Sequence, residues 1–515
     1  MCIRDSLKRV LIGASIGLGV GFAVGWGTYQ IGFINDLLNG YEFQSYDARM
    51  RARVVGVEEQ SIDDVVIIDI EQESVKPVEQ GGLGRYYNWP QAYHGKLIDV
   101  VTNSLQFQWK APEGDNAPDY YQVFRQIQND SNAQFEYMGD AYDIMFVISG
   151  RNQWEGYSFA VVPIYSDGSS GEGYFVESAS LIEPKALLFD IIFDPENTYN
   201  YDLVNAMNSF SPPSDEAIAG ATDRFLVDND PTRFVGATVN SGKTYHALVF
   251  EQEDSLNFLY RMDSEPEGYD RLDHTIQIPL EVAINLPTGD RMGNTYVELL
   301  SAAKRNGSAN FPQDEDGIIR RAPTAIYFEG PQHVYPSLVM AAAMDILGVP
   351  SDGFDYDFEE NLLRLSDTTG TVVREIPIDD AGRMFVNYYG LYKTFYYLPY
   401  MYCVNPEMLP PDYWEDKVAL VGASLPGLMD LRNTPVQETF AGVEIHANVM
   451  QSILQNEFVS RTSNNTNLIT ILILSVLLGS VVSIPSRPLW SLPAPILGIA
   501  TVSYTHLTLP TSDLV

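Results

Sequence analysis

Cysteine is nearly absent, with two in 515 residues, Cys2 and Cys403. Cys2 falls in a terminal stretch set aside below, so one thiol remains. That excludes a disulfide framework and a cysteine-based metal site within one chain. Basic residues are also scarce, 31 Lys and Arg against 68 Asp and Glu, for a formal charge of −37 and a pI near 4.3. Such acidity argues against nucleic acid or an anionic membrane surface as partner and suits a solvated external domain. What the chain does have is 45 % hydrophobic and 12 % aromatic residues, a composition that packs a core rather than stays disordered. A domain of this size can build that core without disulfides.

Both ends look foreign to the rest. Met-Cys-Ile-Arg-Asp-Ser at residues 1–6 and Val-Ser-Tyr-Thr-His-Leu-Thr-Leu-Pro-Thr at residues 502–511 resemble translated sequencing adaptor, and residues 503–515 interrupt an apolar run. Segments of that origin are excluded from fold reasoning. The alternative is that both are native termini. The adaptor reading leads to the expectation of a chain cut short at its C-terminus, with an effector beyond it.

Three apolar stretches set an expected topology. Residues 10–32 carry no charge and are long enough to cross roughly 30 Å of hydrocarbon. Residues 468–484 sit at the short end of that range, and residues 489–502 begin a third stretch. Lys8 and Arg9 precede the first and Arg487 separates the second from the third, so the positive-inside rule places both sites in the cytoplasm. The expected protein is multi-pass in a bacterial inner or cell membrane, with the lipid bilayer as a partner. It has a cytoplasmic tail (residues 1–9), a transmembrane helix (10–32), a periplasmic or extracellular domain (35–467) and two further spans (468–484 and 489–502). A cleaved signal peptide is the rival for the first span. Gly13, Gly17, Gly21 and Gly25 recur every four residues. They form a smooth face for close helix packing, in a homodimer through this first helix or against the later spans.

Residues 65–70 (Val-Val-Ile-Ile-Asp-Ile), 187–193 and 418–421 are continuous apolar runs, and residues 234–239 repeat the character more weakly. Each reads as a strand buried on both faces. Between the first two, residues 94–105 read as a helix with Leu97, Val100, Val101 and Leu105 inward. A further helix opens at Gly442. Strands alternating with helices imply an α/β fold, a mainly parallel central sheet with flanking helices, to which the transmembrane helices are added. Within an insertion at residues 106–183, residues 142–148 and 157–165 alternate as inserted antiparallel elements do. A second unusual stretch, residues 251–288, is polar and acidic.

Several motifs invite chemistry. Gly236 to Thr244 looks like a phosphate loop, but Ala237 stands where that motif needs glycine, so it reads as a turn. Gly422-Ala-Ser424-Leu-Pro426 approximates a nucleophile elbow with Asp430 and His446 as triad partners, yet Pro426 replaces the second glycine. His446 reads as a satisfied interfacial histidine. The acidic residues at strand ends, Asp69, Glu71, Asp190 and Asp430, are the candidate ligand site, because ligands of open α/β sheets bind beyond the carboxyl ends of strands. Together they could hold Ca²⁺ or Mg²⁺ through oxygen; separately they would cap helices and brace loops. Asp314 to Pro323 reads as an acidic turn braced by ion-paired Arg320 and Arg321.

Tyr46-Asp-Ala-Arg-Met-Arg51, Asp69-Ile-Glu-Gln-Glu-Ser74, Trp89-Pro90, Phe189-Asp190 and residues 314–323, 376–390 and 416–454 follow one another in an order that carries a likeness. Through them most of Tyr46 to Arg461, apart from the insertions, resembles the second-type CHASE domain, an extracellular sensor of bacterial cyclases and kinases. The insertion at 106–183 departs from it. The resemblance implies the sensor portion of a transmembrane signalling receptor for an unknown small extracellular ligand. Its missing cytoplasmic effector would be most often an adenylate or guanylate cyclase, otherwise a histidine kinase, a serine/threonine kinase or a diguanylate cyclase. None of their signatures occurs here, and no catalytic residue is assigned. The rivals are a membrane-tethered extracytoplasmic hydrolase and a structural ectodomain.

Overall fold

Apolar side chains on both faces can be satisfied only in the middle of a sheet covered twice, and the run at residues 65–70 lies there. A computed structural model describes residues 3–30, 32–86, 89–112, 117–128, 134–150, 154–176, 178–193, 232–251, 261–293, 295–405, 408–410, 412–425, 431–461 and 464–483. Its main sheet has eight strands: β1 (Ile62–Ile70), β2 (Ala186–Phe189), β3 (Thr244–Glu251), β4 (Arg261–Met262), β5 (Arg291–Gly293), β6 (Arg305–Ser308), β7 (Phe395–Pro399) and β8 (Val418–Ala423). Their order is β4-β5-β3-β2-β8-β1-β7, with β6 also paired to β3. The five pairings β7/β1, β1/β8, β8/β2, β2/β3 and β3/β6 are parallel. Only the margin formed by β5 and β4 is antiparallel. The strands at Val65, Leu187 and Val418 are neighbours, as their two-sided apolar character requires.

The helices used below are α1 (Ile3–Gln30), α2 (Gly32–Val54), α3 (Ala92–Thr102), α4 (Thr232–Ser241), α5 (Leu338–Leu347), α6 (Gly442–Gln455) and α7 (Asn464–Ser483). On one face of the sheet Val65, Ile67, Leu188, Val418 and Leu420 share a core with α5 and α6. On the other, Val66, Ile68, Leu187, Phe189, Ala419 and Val421 pack with Leu97, Ile98 and Val101 of α3 and Phe234 and Ala237 of α4. The inserted region forms two small antiparallel sheets, one of four strands and one of three.

Three expectations are corrected. Residues 234–239 are helical, within α4: Phe234, Ala237, Thr238 and Ser241 are its buried residues, a 3.6-residue spacing that outweighs the local β-branched content. Leu105 is not the inner end of a helix, because α3 stops at Thr102 and Leu105 lies on the next strand, Ser104–Gln108. The third concerns the transmembrane helices. Among the described residues, no helix is long and apolar enough to cross a membrane. In α7 the polar start Asn-Asn-Thr-Asn leaves residues 468–483, about 24 Å at 1.5 Å per residue, short of a hydrocarbon core of about 30 Å. In α1 the first turns carry Arg4, Asp5, Lys8 and Arg9. Arg487 and residues 489–502 and 503–515 lie outside the described residues.

The glycine face of α1 is occupied by α7. A Cβ on Gly13 would stand 1.9 Å from Ser483 Oγ, and one on Gly17 2.2 Å from the Ser475 carbonyl oxygen. Helix α2 then docks on the domain body through Tyr46, Met50 and Val54, buried at intervals of four.

Candidate functional site

Register places the site. Asp69 of β1 pairs with Gly422 of β8, and Val421 of β8 pairs with Phe189 of β2. Asp69, Gly422 and Asp190 therefore lie level across three strands at their carboxyl ends, the two aspartates about 9–10 Å apart at Cα. Gly422 is required here. A Cβ would stand 2.5 Å from Val443 Cβ of α6, so the bare backbone lets the helix start against the sheet.

Asp69 is buried and accepts hydrogen bonds from the Ser424 backbone N–H at 2.8 Å and hydroxyl at 2.5 Å. Burial raises its carboxyl to about 6, although the bonds from Ser424 pull the other way. The backbone N–H of Asp190 donates to Val421 at 2.9 Å, and its carboxylate lies 3.5 Å from Nε2 of His446. The His446 ring also rests on Phe311, centroids 4.4 Å apart. Glu71 turns into its own loop, accepting from the Glu73 and Ser74 backbone N–H groups at 2.5 and 2.8 Å. Asp430 lies outside the described residues. Of the four sequence candidates, the structure thus brings Asp69 and Asp190 to one sheet end and places Glu71 in a turn. Among the described residues, no group of three or more His, Cys, Asp or Glu side chains is placed to hold a metal ion.

A residue the sequence reading passed over completes the site. Glu444, in the first turn of α6, is fully buried. Its carboxylate accepts from the backbone N–H groups of Lys393 and Thr394 at 3.0 and 3.1 Å and from the Tyr397 hydroxyl at 2.9 Å. Burial pushes it up to about 7, with these hydrogen bonds opposing. Tyr392 stands between the two acids. Burial raises its phenol, the negative charges of Asp69 and Glu444 add to that, and a bond with Ser424 opposes it. The Lys393 ammonium lies over the rings of Tyr392 and Tyr397, 5.6 and 5.8 Å from their centroids, where the negative ring faces attract it. Lys393 itself has φ +70°, a backbone state that costs a non-glycine residue.

Two carboxyls raised toward neutrality, two phenols, a hydroxyl and an ammonium suit reversible protonation and polar contacts. They do not suit nucleophilic attack, since the Ser424 hydroxyl is spent on Asp69 and His446 faces Asp190. The only sequence signal for Glu444 was an acid in the first turn of an otherwise apolar helix, where the helix dipole favours negative charge. Its partners come from residues 393–397 and could not be read locally.

A second polar cluster is structural. Arg320 is buried between Asp47, Asp314 and Asp316, with its guanidinium 4.6 Å from the Phe43 ring centroid. Burial works against its charge, but the three carboxylates outweigh it and hold the group above its ordinary value. Arg321 bridges Asp314 and Asp379, so both arginines brace the acidic turn.

The family model of the CHASE2 domain matches residues 175–481. That span includes β2 to β8, α4 to α6 and the Tyr392–Glu444 part of the site. No curated protein and no solved structure matches the chain.

Proposed function

The chain belongs to the CHASE2 domain family, and on that premise we propose that it is the extracytoplasmic sensor portion of a signalling receptor. In the finer reading the coupled effector is an adenylate or guanylate cyclase. The observation that carries the proposal is a set of packed elements, α6, the α1/α7 pair and α2, that link the site to both ends of the domain. Glu444 and His446 sit on α6. That helix ends at Asn456, whose φ of +58° reverses the chain, and residues 457–461 lead on to α7. The end of α6 is clasped by Arg374, which donates to the Ile453 and Leu454 carbonyls at 2.7 and 3.1 Å. Helix α7 lies along α1, and α2, following α1, returns to the body through Asp47 and Arg320. A change in how α6 meets the sheet is therefore delivered to the α1/α7 pair, and packed elements with discrete arrangements are what carry such coupling.

The test is output. The receptor gene, expressed in a cell lacking its own cyclases, should give a cyclic-nucleotide level that responds to external conditions and is altered by substitution of Glu444. A level that ignores both would remove the adenylate or guanylate cyclase coupling.

A further inference from the structure

We propose that the stimulus this domain reads is the proton, with the Glu444 carboxyl as the receiving group; the inference rests on the sensor reading above. Two backbone N–H groups, of Lys393 and Thr394, and the Tyr397 hydroxyl all donate to that side chain, and the Phe395 backbone favours its ionised form in the same way. An ionised carboxylate only accepts and fits all three. A protonated carboxyl keeps the Tyr397 bond only if that hydroxyl turns to accept the proton, and the two backbone N–H bonds then run to a neutral acceptor, about half as strong as an ionised one.

The three donors are neutral, so the buried charge has no counter-ion among them. The balance between burial and hydrogen bonding leaves the carboxyl at about 7. The groups around it are accounted for element by element. The 391–394 turn and β7 supply Tyr392, Lys393 and Tyr397, with the Lys393 ammonium directed over the rings. Strand β1 supplies Asp69 at this end, bonded to Ser424, and Asp64 at the other, bonded to Gln451 and Gln455. Strand β8 and Phe440–Ala441 carry no titratable side chain. Asp345 of α5 is held by Arg305 and Tyr245. On α6 itself His446 faces Asp190.

What protonation would release is a turn held open against its own preference. Lys393 is left-handed, and the segment is tied to its surroundings by Tyr389 N–H, which donates to Asn448 of α6 at 2.9 Å, by Tyr392 N–H, which donates to Gln437 at 3.2 Å, and by the Lys393 and Thr394 carbonyls, which accept from Gln60 and Ser61 N–H. Within α6 the Asn448 amide donates in turn to the Glu444 carbonyl at 2.7 Å. A weaker acceptor at Glu444 lets the turn relax and changes the seat of the first turn of α6, the helix that leads to α7.

Hydrogen exchange on the full chain, followed peptide by peptide between about pH 5.5 and 8.5 and corrected for intrinsic rates, tests this. The Lys393 and Thr394 amides should lose about tenfold in protection as pH falls, with a midpoint near 7. Glu444→Gln should abolish the pH response. Tyr397→Phe, which removes one donor to the ionised form, should move the midpoint upward. An equal response in wild type and Glu444→Gln, or a midpoint unmoved in Tyr397→Phe, would overturn the proposal. If Glu444→Gln does not fold, wild type and Tyr397→Phe still decide it. Peptides from α7 are read in the same experiment. A titrating turn with an indifferent α7 leaves the proton site standing and removes the sensor reading, whereas an inert turn removes the proton site alone.

Discussion

The guanidinium of Arg320 and the carboxylate of Asp47 meet through two parallel hydrogen bonds, Nε to Oδ1 at 2.7 Å and Nη2 to Oδ2 at 2.8 Å, across 273 positions of sequence. This pair fastens α2 to the domain body. Removing one partner of a buried ion pair costs about 3–5 kcal/mol, because the other charge stays behind. Asp314 and Asp316 still face Arg320, so Asp47→Asn should fall at or below the lower end of that range in denaturant titration. Exchange in α2 should rise as the helix detaches. Unchanged α2 protection would show that its other contacts hold the helix, the buried Tyr46, Met50 and Val54 together with Arg51 on the Pro435 carbonyl and Arg53 on Asn387.

Val418→Asp should prevent folding. Val418 is completely buried between Val65 on one side and Ala186 on the other, and a carboxylate there has no partner. A soluble variant with a cooperative melt would remove β8 from the centre of the sheet.

Replacing Gly17 and Gly21 together with leucine should separate α1 from α7 while leaving the sheet intact. Added Cβ atoms would stand 2.2 Å from the Ser475 carbonyl oxygen and 2.8 Å from the Ser475 side chain, distances that packed atoms do not tolerate. Amide exchange across residues 464–483 should accelerate while that of β1 and β8 stays fixed. Equal exchange in variant and wild type would make the glycine face incidental.

Asp69 sets a pH dependence whose sign follows from its raised carboxyl. The folded state holds this proton up to about pH 6, against 3.8 for the ordinary group. Its contribution to stability is therefore complete below about 4 and is lost as pH rises through about 6. The amount is on the order of 2–3 kcal/mol at most. Asp69→Asn should make the stability profile less steep between those limits, leaving the share that Glu444 contributes as pH rises toward 7, as read from melts at each pH. Ser424→Ala, which removes the hydroxyl bond favouring the charged form, should carry the descending limb to higher pH. Equal slopes in wild type and Asp69→Asn across the window would show that Asp69 is ionised throughout.

The sheet was legible where burial left its mark on consecutive residues. Val65 to Ile70 and Val418 to Val421 are apolar on both faces because layers cover both, so their place followed from composition alone. Strand β3 was hidden because it carries His246, fully buried and flanked by Phe189, Phe193 and Phe234. A histidine in mid-strand reads as polar when its neighbours are unknown. Residues 234–239 misled in the opposite way, with two valines within a helical spacing. Asp69 and Asp190 could be placed at one sheet end because strand ends are predictable once strands are. Glu444 could not be, since an acid in the first turn of a helix looks like an ordinary exposed residue. Its burial comes from a turn some fifty residues earlier in the chain, as the 50-residue separation from Thr394 records.

The inserted sheets enter and leave side by side, since Ser104 pairs with Ile182 and Gln108 with Ser178 on adjacent antiparallel strands. Such an arrangement makes the insertion detachable. Its two stems are already at the spacing that a tight hairpin bridges, so the segment between them can be excised, or exchanged for an unrelated module, without asking α3 or β2 to move. The architecture is in that sense a socket, and what is plugged into it, just ahead of Ala186 at the amino end of β2, can diverge while the sheet keeps its geometry.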